Sequence, residues 1–164
     1  MRQATKYNLF IGIDPAFRDN GFAMSIIDKT DNTVLFKMFK NGFLDFCSWF
    51  LHDSPADALI CVENSNLQNK TFSYYKGNKN EMARISRSVG KNMAISQCVV
   101  DLCKTKYKVV DCSPKMKGGK WSAKQYEAVM IQEKHTTSKK TSNQDERDAY
   151  KLALIALKKP FLAV

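Results

Sequence analysis

The sequence predicts one α/β domain: a five-stranded mixed sheet, made of a three-stranded meander plus parallel strands and flanked by helices. Three observations lead there. Tyr7 to Asp14 (YNLFIGID) is apolar almost throughout, as a central strand covered on both faces should be. Two turn signals, Asp19-Asn20-Gly21 and Thr30-Asp31-Asn32, cut the following stretch into two more strands. Beyond them, helical patterns alternate with short apolar runs. At 164 residues with 44% hydrophobic content, the chain can bury one sizeable core, so residues 1–164 read as a single domain.

In chain order, Gly21 to Asp28 (GFAMSIID) and Thr33 to Phe39 (TVLFKMF) complete the meander. A helix over Gly42 to His52 crosses through Ser54-Pro55 to Ala58–Glu63 (ALICVE), a short strand expected to run parallel to the first. Residues 64–80 are polar, with Phe72, Tyr74 and Tyr75 interleaved among Asn and Lys, and read as a surface loop. From Glu81 to about Lys106, Met82, Ile85, Val89 and Met93 recur at helical spacing. Gly90 in mid-helix costs on the order of 1 kcal/mol relative to alanine, so a close backbone neighbour is expected there. Tyr107 to Asp111 is a fifth strand and Ser113 to Lys120 (SPKMKGGK) a basic loop. A helix follows from Trp121 to about Gln132, a mobile polar tract from His135 to Ser142, and a last helix from about Gln144 to Lys158.

The net charge of +10 is concentrated. Residues 66–140 hold 16 basic and 5 acidic side chains, whereas the two flanks together are close to neutral. A basic block beside neutral flanks suits a polyanion, because phosphate contacts release counterions and a basic groove steers association. The chain has no apolar run long enough for a membrane helix and no signal-peptide pattern at its start, so a soluble, cytoplasmic protein is expected, with no membrane partner. Five cysteines without a CxxC pair, far in sequence from His52 and His135, argue against a disulfide scaffold or a zinc site.

Four acids are placed to converge. Asp14 ends the first strand and Glu63 the fourth; if these are parallel neighbours, both carboxylates project from one C-terminal sheet edge, where sites of open α/β sheets lie. Asp145 and Asp148, three apart, share a face of the last helix. Crowded carboxylates repel unless a cation sits among them, and oxygen-only donors favour Mg²⁺ or Mn²⁺ over zinc. Ordinary alternatives exist, a turn residue for Asp14 and a helix-capping and dipole role for Asp145, Glu146 and Asp148. Glu63 is harder to dismiss, since an acid after the apolar run Leu59 to Val62 should be buried or at a strand mouth.

Four segments, IGIDPAFRDNGFA (Ile11 to Ala23), VEN (Val62 to Asn64), SVGKNMA (Ser88 to Ala94) and DERDAYKLAL (Asp145 to Leu154), resemble, in order, the RuvC family of Holliday junction resolvases. The resemblance spans nearly the whole chain. It implies an RNase H-like fold, a homodimer, and paired symmetric Mg²⁺-dependent nicks in four-way DNA junctions; other branched DNA is a further expected substrate if the chain is a phage or viral member. It also implies that Asp14, Glu63, Asp145 and Asp148 are catalytic acids and metal ligands, holding two Mg²⁺ (or Mn²⁺) ions per site. Lys124 would be a catalytic lysine, with Lys115 and Lys117 competing for a second lysine role. Lys115, Lys117 and Lys120 of the loop, Arg84, Arg87 and Lys91 of the long helix, and Phe72 and Tyr74 would contact DNA. The chain departs from the family pattern at Ala16, where glycine is usual, at Glu146 and Arg147, where small residues are usual, and at Asn66 and Leu67, where an aromatic is expected. The short, Lys- and Asn-rich composition fits a phage or viral member, acting in the host cytoplasm.

Three other readings compete. An RNase H-like nuclease for RNA or RNA–DNA hybrids would share the acids, a non-catalytic branched-DNA-binding module would not need them, and an actin-like ATP-binding protein would require a second lobe for which 164 residues leave little room.

Overall fold

The computed structural model describes residues 7–18, 21–68 and 77–164. The strands are β1 (Leu9–Asp14), β2 (Phe22–Asp28), β3 (Thr33–Phe39), β4 (Leu59–Glu63) and β5 (Lys108–Cys112). The helices are α1 (Phe43–His52), α2 (Lys79–Lys104), α3 (Pro114–Lys117), α4 (Ala123–Gln132) and α5 (Gln144–Lys158). The strands form one sheet in the order β3-β2-β1-β4-β5. β1–β2 and β2–β3 are antiparallel, while β1–β4 and β4–β5 are parallel, the expected meander plus parallel pair.

Strand alternation divides the core in two. Ile11, Ile13, Phe22, Met24, Ile60 and Val62 pack with Phe46, Trp49, Val99 and Val100 of α1 and α2 on one face. On the other, Phe10, Ile27, Leu59, Cys61 and Val110 pack with Tyr126 of α4 and Tyr150, Leu152 and Ala153 of α5. β1 is thus covered on both sides, which is why its sequence is continuously apolar. Among the described residues no helix is long and apolar enough to cross a membrane.

Caps set the helix boundaries. Asn78 caps α2 by accepting from Glu81 N, and Ser122–Gln125 and Asn143–Glu146 form reciprocal capping boxes on α4 and α5. At α5 the capping duty falls to Asn143 and Glu146, which leaves Asp145 and Asp148 free for other partners.

The structure corrects three expectations. The basic loop contains a turn of helix, α3, because Ser113 accepts from Met116 N at 3.1 Å and Pro114 is preset for the first helical position. The tract after α4 is anchored at its start: Val34 N donates to Thr136 O at 2.7 Å, Thr136 N to Asn32 O at 2.9 Å, and His135 Nδ1 lies 2.7 Å from Tyr150 Oη. Gly90 has no close neighbour, with no described atom within 4 Å of where a Cβ would stand. The C-terminal part of α2 packs on the sheet through Val99, Val100 and Cys103, whereas Met82, Ile85, Val89 and Met93 stay half-exposed.

Candidate active site

The site is built at the C-terminal ends of β1 and β4. Their parallel register runs to Ile13 opposite Val62, so Asp14 and Glu63 come next, side by side. The two-residue period that places Phe10 and Leu59 under α5 places Asp14 and Glu63 on that face too.

Gly12 brings the third acid. A Cβ there would stand 2.0 Å from Ala149 O and 2.2 Å from Ala153 N, so the α5 backbone rests directly on β1. That approach sets Asp148, the residue before Ala149, against the end of β1. Its Oδ1 accepts from Gln144 Nε2 at 2.9 Å, and its Oδ2 faces the other acids.

All three carboxylates close on one ammonium. Lys117 Nζ lies 3.6 Å from Asp14 Oδ2 and 3.5 Å from Asp148 Oδ2, and makes a direct ion contact with Glu63 Oε2. The side chains of Lys117, Asp14, Glu63 and Asp148 are 11%, 13%, 14% and 7% exposed, so solvent screens these charges weakly. Burial pushes the Asp14 carboxyl up to about 7 against the pull of Lys117, with Glu63, Asp148 and Asp145 adding to the rise. For Lys117, burial alone would lower the value, but Asp14, Glu63 and Asp148 outweigh it and hold the ammonium above its ordinary range.

Asp145 does not face that ammonium. Both its oxygens accept from Arg18 Nη2, at 3.1 and 3.2 Å, at the rim of the site. Of the two competing loop lysines, Lys117 faces the acids and Lys115 is exposed, as is Lys120. Lys124 is exposed on the first turn of α4, and the described residues give it no ion pair with the carboxylates. Arg84, Arg87 and Lys91 lie on the exposed half of α2; Lys91 Nζ sits 4.4 Å over the Phe17 ring, and Phe17 N donates to Asn92 Oδ1 at 2.9 Å. Phe72 and Tyr74 lie outside the described residues.

Several further residues frame the site, and of these Lys151 escaped the sequence reading. Lys151, one turn beyond Asp148, is buried, donates to Gly119 O and lies 4.6 Å over the Trp121 ring, tying the segment after α3 to α5. Arg147 donates to Trp121 O at 3.1 Å and to Ser142 O at 2.6 Å, and Glu146 takes Lys139 as well as capping α5. Both departures from the family's small-residue pattern therefore have structural partners. Asn64, buried after Glu63, accepts from Asn66 N at 3.0 Å and Asn66 Nδ2 at 2.8 Å, which shapes the turn leaving the site.

Among the described residues no group of three His, Cys, Asp or Glu side chains stands as a ready-made metal cluster. The donor chemistry nonetheless fits a hard divalent cation: Asp14, Glu63 and Asp148 offer oxygens only, and Glu63 Oε2 is buried with no hydrogen-bond partner beyond its ion contact.

No protein-family pattern matches the chain, and no curated protein matches it. Among solved structures it is similar to T. thermophilus RuvC in complex with Holliday junction substrate, at 14% identity and a TM-score of 0.50, over 94% of this chain and 97% of that one. At this identity the similarity speaks for the architecture, a five-stranded mixed sheet flanked by helices as in RuvC and RNase H-like proteins.

Proposed function

We propose that the chain is a metal-dependent, structure-specific DNA endonuclease that resolves four-way junctions by paired nicks and acts as a homodimer. The observation that carries this reading is the meeting of Asp14, Glu63 and Asp148 around a single cation at the strand ends. The architecture supports it, since the similar RuvC structure is one in complex with a Holliday junction.

Asp14, Glu63 and Asp148 would hold Mg²⁺ or Mn²⁺, two ions per site, with Asp145 contributing from the rim. Such ions would supply activation of a water and stabilisation of the leaving 3′ oxygen, chemistry that would leave 5′-phosphate and 3′-hydroxyl ends. Lys117 and Lys124 would offset charge at the scissile phosphate. Lys115, Lys120, Arg84, Arg87 and Lys91 add exposed positive charge on the loop and α2, suited to the phosphate backbone.

Two symmetric nicks need two sites on one particle. The half-exposed stripe Met82, Ile85, Val89 and Met93, beside Gly90 with open space around it, would be the surface a second copy covers.

The test is cleavage of an end-labelled mobile four-way junction beside linear duplex, fork and RNA–DNA hybrid, with Mg²⁺, Mn²⁺ or chelator. Paired ligatable nicks, lost with Asp14→Asn and with chelator, are expected. Preferential hybrid cleavage would indicate an RNase H-like enzyme, and junction binding without cleavage under either metal a non-catalytic module.

A further inference from the structure

We infer that Lys117 is a resident counter-ion of the three carboxylates, exchanged for a divalent cation when the site loads and then available to the scissile phosphate. This deepens the nuclease reading and rests on it. The ammonium stands where Asp14 Oδ2, Glu63 Oε2 and Asp148 Oδ2 all point, so a cation held by those same oxygens has no room beside it. One positive charge against three carboxylates is also an incomplete match: when all three acids are ionised, two negative charges remain in a weakly screened pocket. A divalent cation answers that surplus better than the ammonium does.

The chain around Lys117 is built for the ammonium to leave. Lys117 is the last residue of the single-turn α3 and is followed by Gly118, at φ +80, and Gly119. Neither glycine has a described atom within 4 Å of where a Cβ would stand, so the segment has space to turn. Its far side is fixed, because Lys151 donates to Gly119 O. On the near side Lys117 N and Gly118 N donate to Ser113 O and Pro114 O, both at 3.1 Å, so the ammonium leaves by rotation of the Lys117 side chain and stays at the mouth of the site, where a phosphate must pass.

The test uses the full-length protein without DNA. In wild type with isotope-labelled lysine, the Lys117 ammonium is followed by NMR during a Mg²⁺ titration. The expected result is a saturable change from an ordered, ion-paired signal to that of a solvated lysine. Alongside it, Mn²⁺ binding is measured by electron paramagnetic resonance for wild type and Lys117→Met, which removes the charge and keeps the bulk. Tighter binding by about tenfold is expected once the competing charge is gone. A Lys117 signal unmoved at saturating Mg²⁺, in protein that binds the ion and cuts junctions, would overturn the exchange and leave the nuclease reading intact. Absence of any Mg²⁺ or Mn²⁺ binding would overturn both.

Discussion

Gly12 of β1 and Ala149 of α5 are in backbone contact: a Cβ on Gly12 would lie 2.0 Å from the Ala149 carbonyl oxygen. The neighbours of this contact in sequence are Asp14, two residues on, and Asp148, one residue back. The spacing of the two acids is therefore set by a missing side chain. Gly12→Ala is expected to push α5 away from the sheet, at a cost of about 3 kcal/mol and a fall in Tm on the order of 10 °C for a chain of this size. Because displacement of about 1 Å at reacting groups can cost about 100-fold in rate, junction cleavage should fall further than folding does. Thermal melts with cleavage assays below the melting range check this; unchanged activity in folded Gly12→Ala would contradict it.

On α2 the opposite situation holds. Val89 and Gly90 sit on a stretch that the described residues leave open. If the proposed homodimer forms through this surface, Val89→Asp should turn it into a monomer while leaving the far-ultraviolet circular dichroism spectrum unchanged, because the sheet-packed part of the helix begins only near Ser96. Sedimentation at micromolar concentration reads the outcome, and a dimer that survives Val89→Asp would place the interface elsewhere.

The contrast between these two glycines marks what the sequence could show. Every strand and every α-helix but the short α3 could be read from apolar period and turn chemistry; β3 (Thr33–Phe39) has its expected bounds because an Asn-containing turn precedes it, and α5 (Gln144–Lys158) matches bounds that the sequence marks only approximately at its start. Asp14 and Glu63 could be placed together because strand period and strand ends are local facts, whereas helix period put Asp145 and Asp148 on one face without showing that only Asp148 turns to the Lys117 ammonium and Asp145 pairs with Arg18. Close approach is not local. A glycine in an apolar strand and one in an amphipathic helix look alike as exceptions, and only the packing of α5 shows that Gly12 is the crowded one. Lys117 stood out no more than Lys115, since the choice depends on the direction in which a Ser113-capped turn aims its side chains. A signal for Gly12 did exist, two residues before an acid in an otherwise unbroken apolar run.

Lys151 should act on the reaction through position. Its ammonium holds the Gly119 carbonyl and the Trp121 ring, and Lys151→Met would leave both without that partner, a loss of about 1–3 kcal/mol. With the Gly118–Gly119 segment released, kcat for junction nicking should drop while KM changes little, since phosphate contacts elsewhere persist. Steady-state kinetics separate the two, and a rise in KM at constant kcat would assign Lys151 to DNA binding instead.

His135 gives the fold a sensitivity to mild acid. Its Nδ1 lies 2.7 Å from Tyr150 Oη, and burial holds its pKa below the ordinary value of 6.5, with Glu133 pulling it up and Lys158 pushing it down. Lys158 and Glu133 are themselves ion-paired, so no carboxylate is left solely to the imidazole. A histidine whose folded value is depressed is neutral in the fold and takes up its proton more readily when unfolded. Its contribution to stability is therefore present above pH 6.5 and is lost as pH falls through the lower, folded value. His135→Gln, which can still meet the Tyr150 hydroxyl but does not titrate, should flatten this part of the profile. Between pH 7.5 and about 5 the Asp14 carboxyl, held up at about 7, titrates in both proteins, so the difference between the two melting curves isolates the imidazole, and wild type should fall relative to the variant as pH drops. Parallel profiles over that window would mean that the imidazole is as free to ionise in the fold as in the unfolded chain.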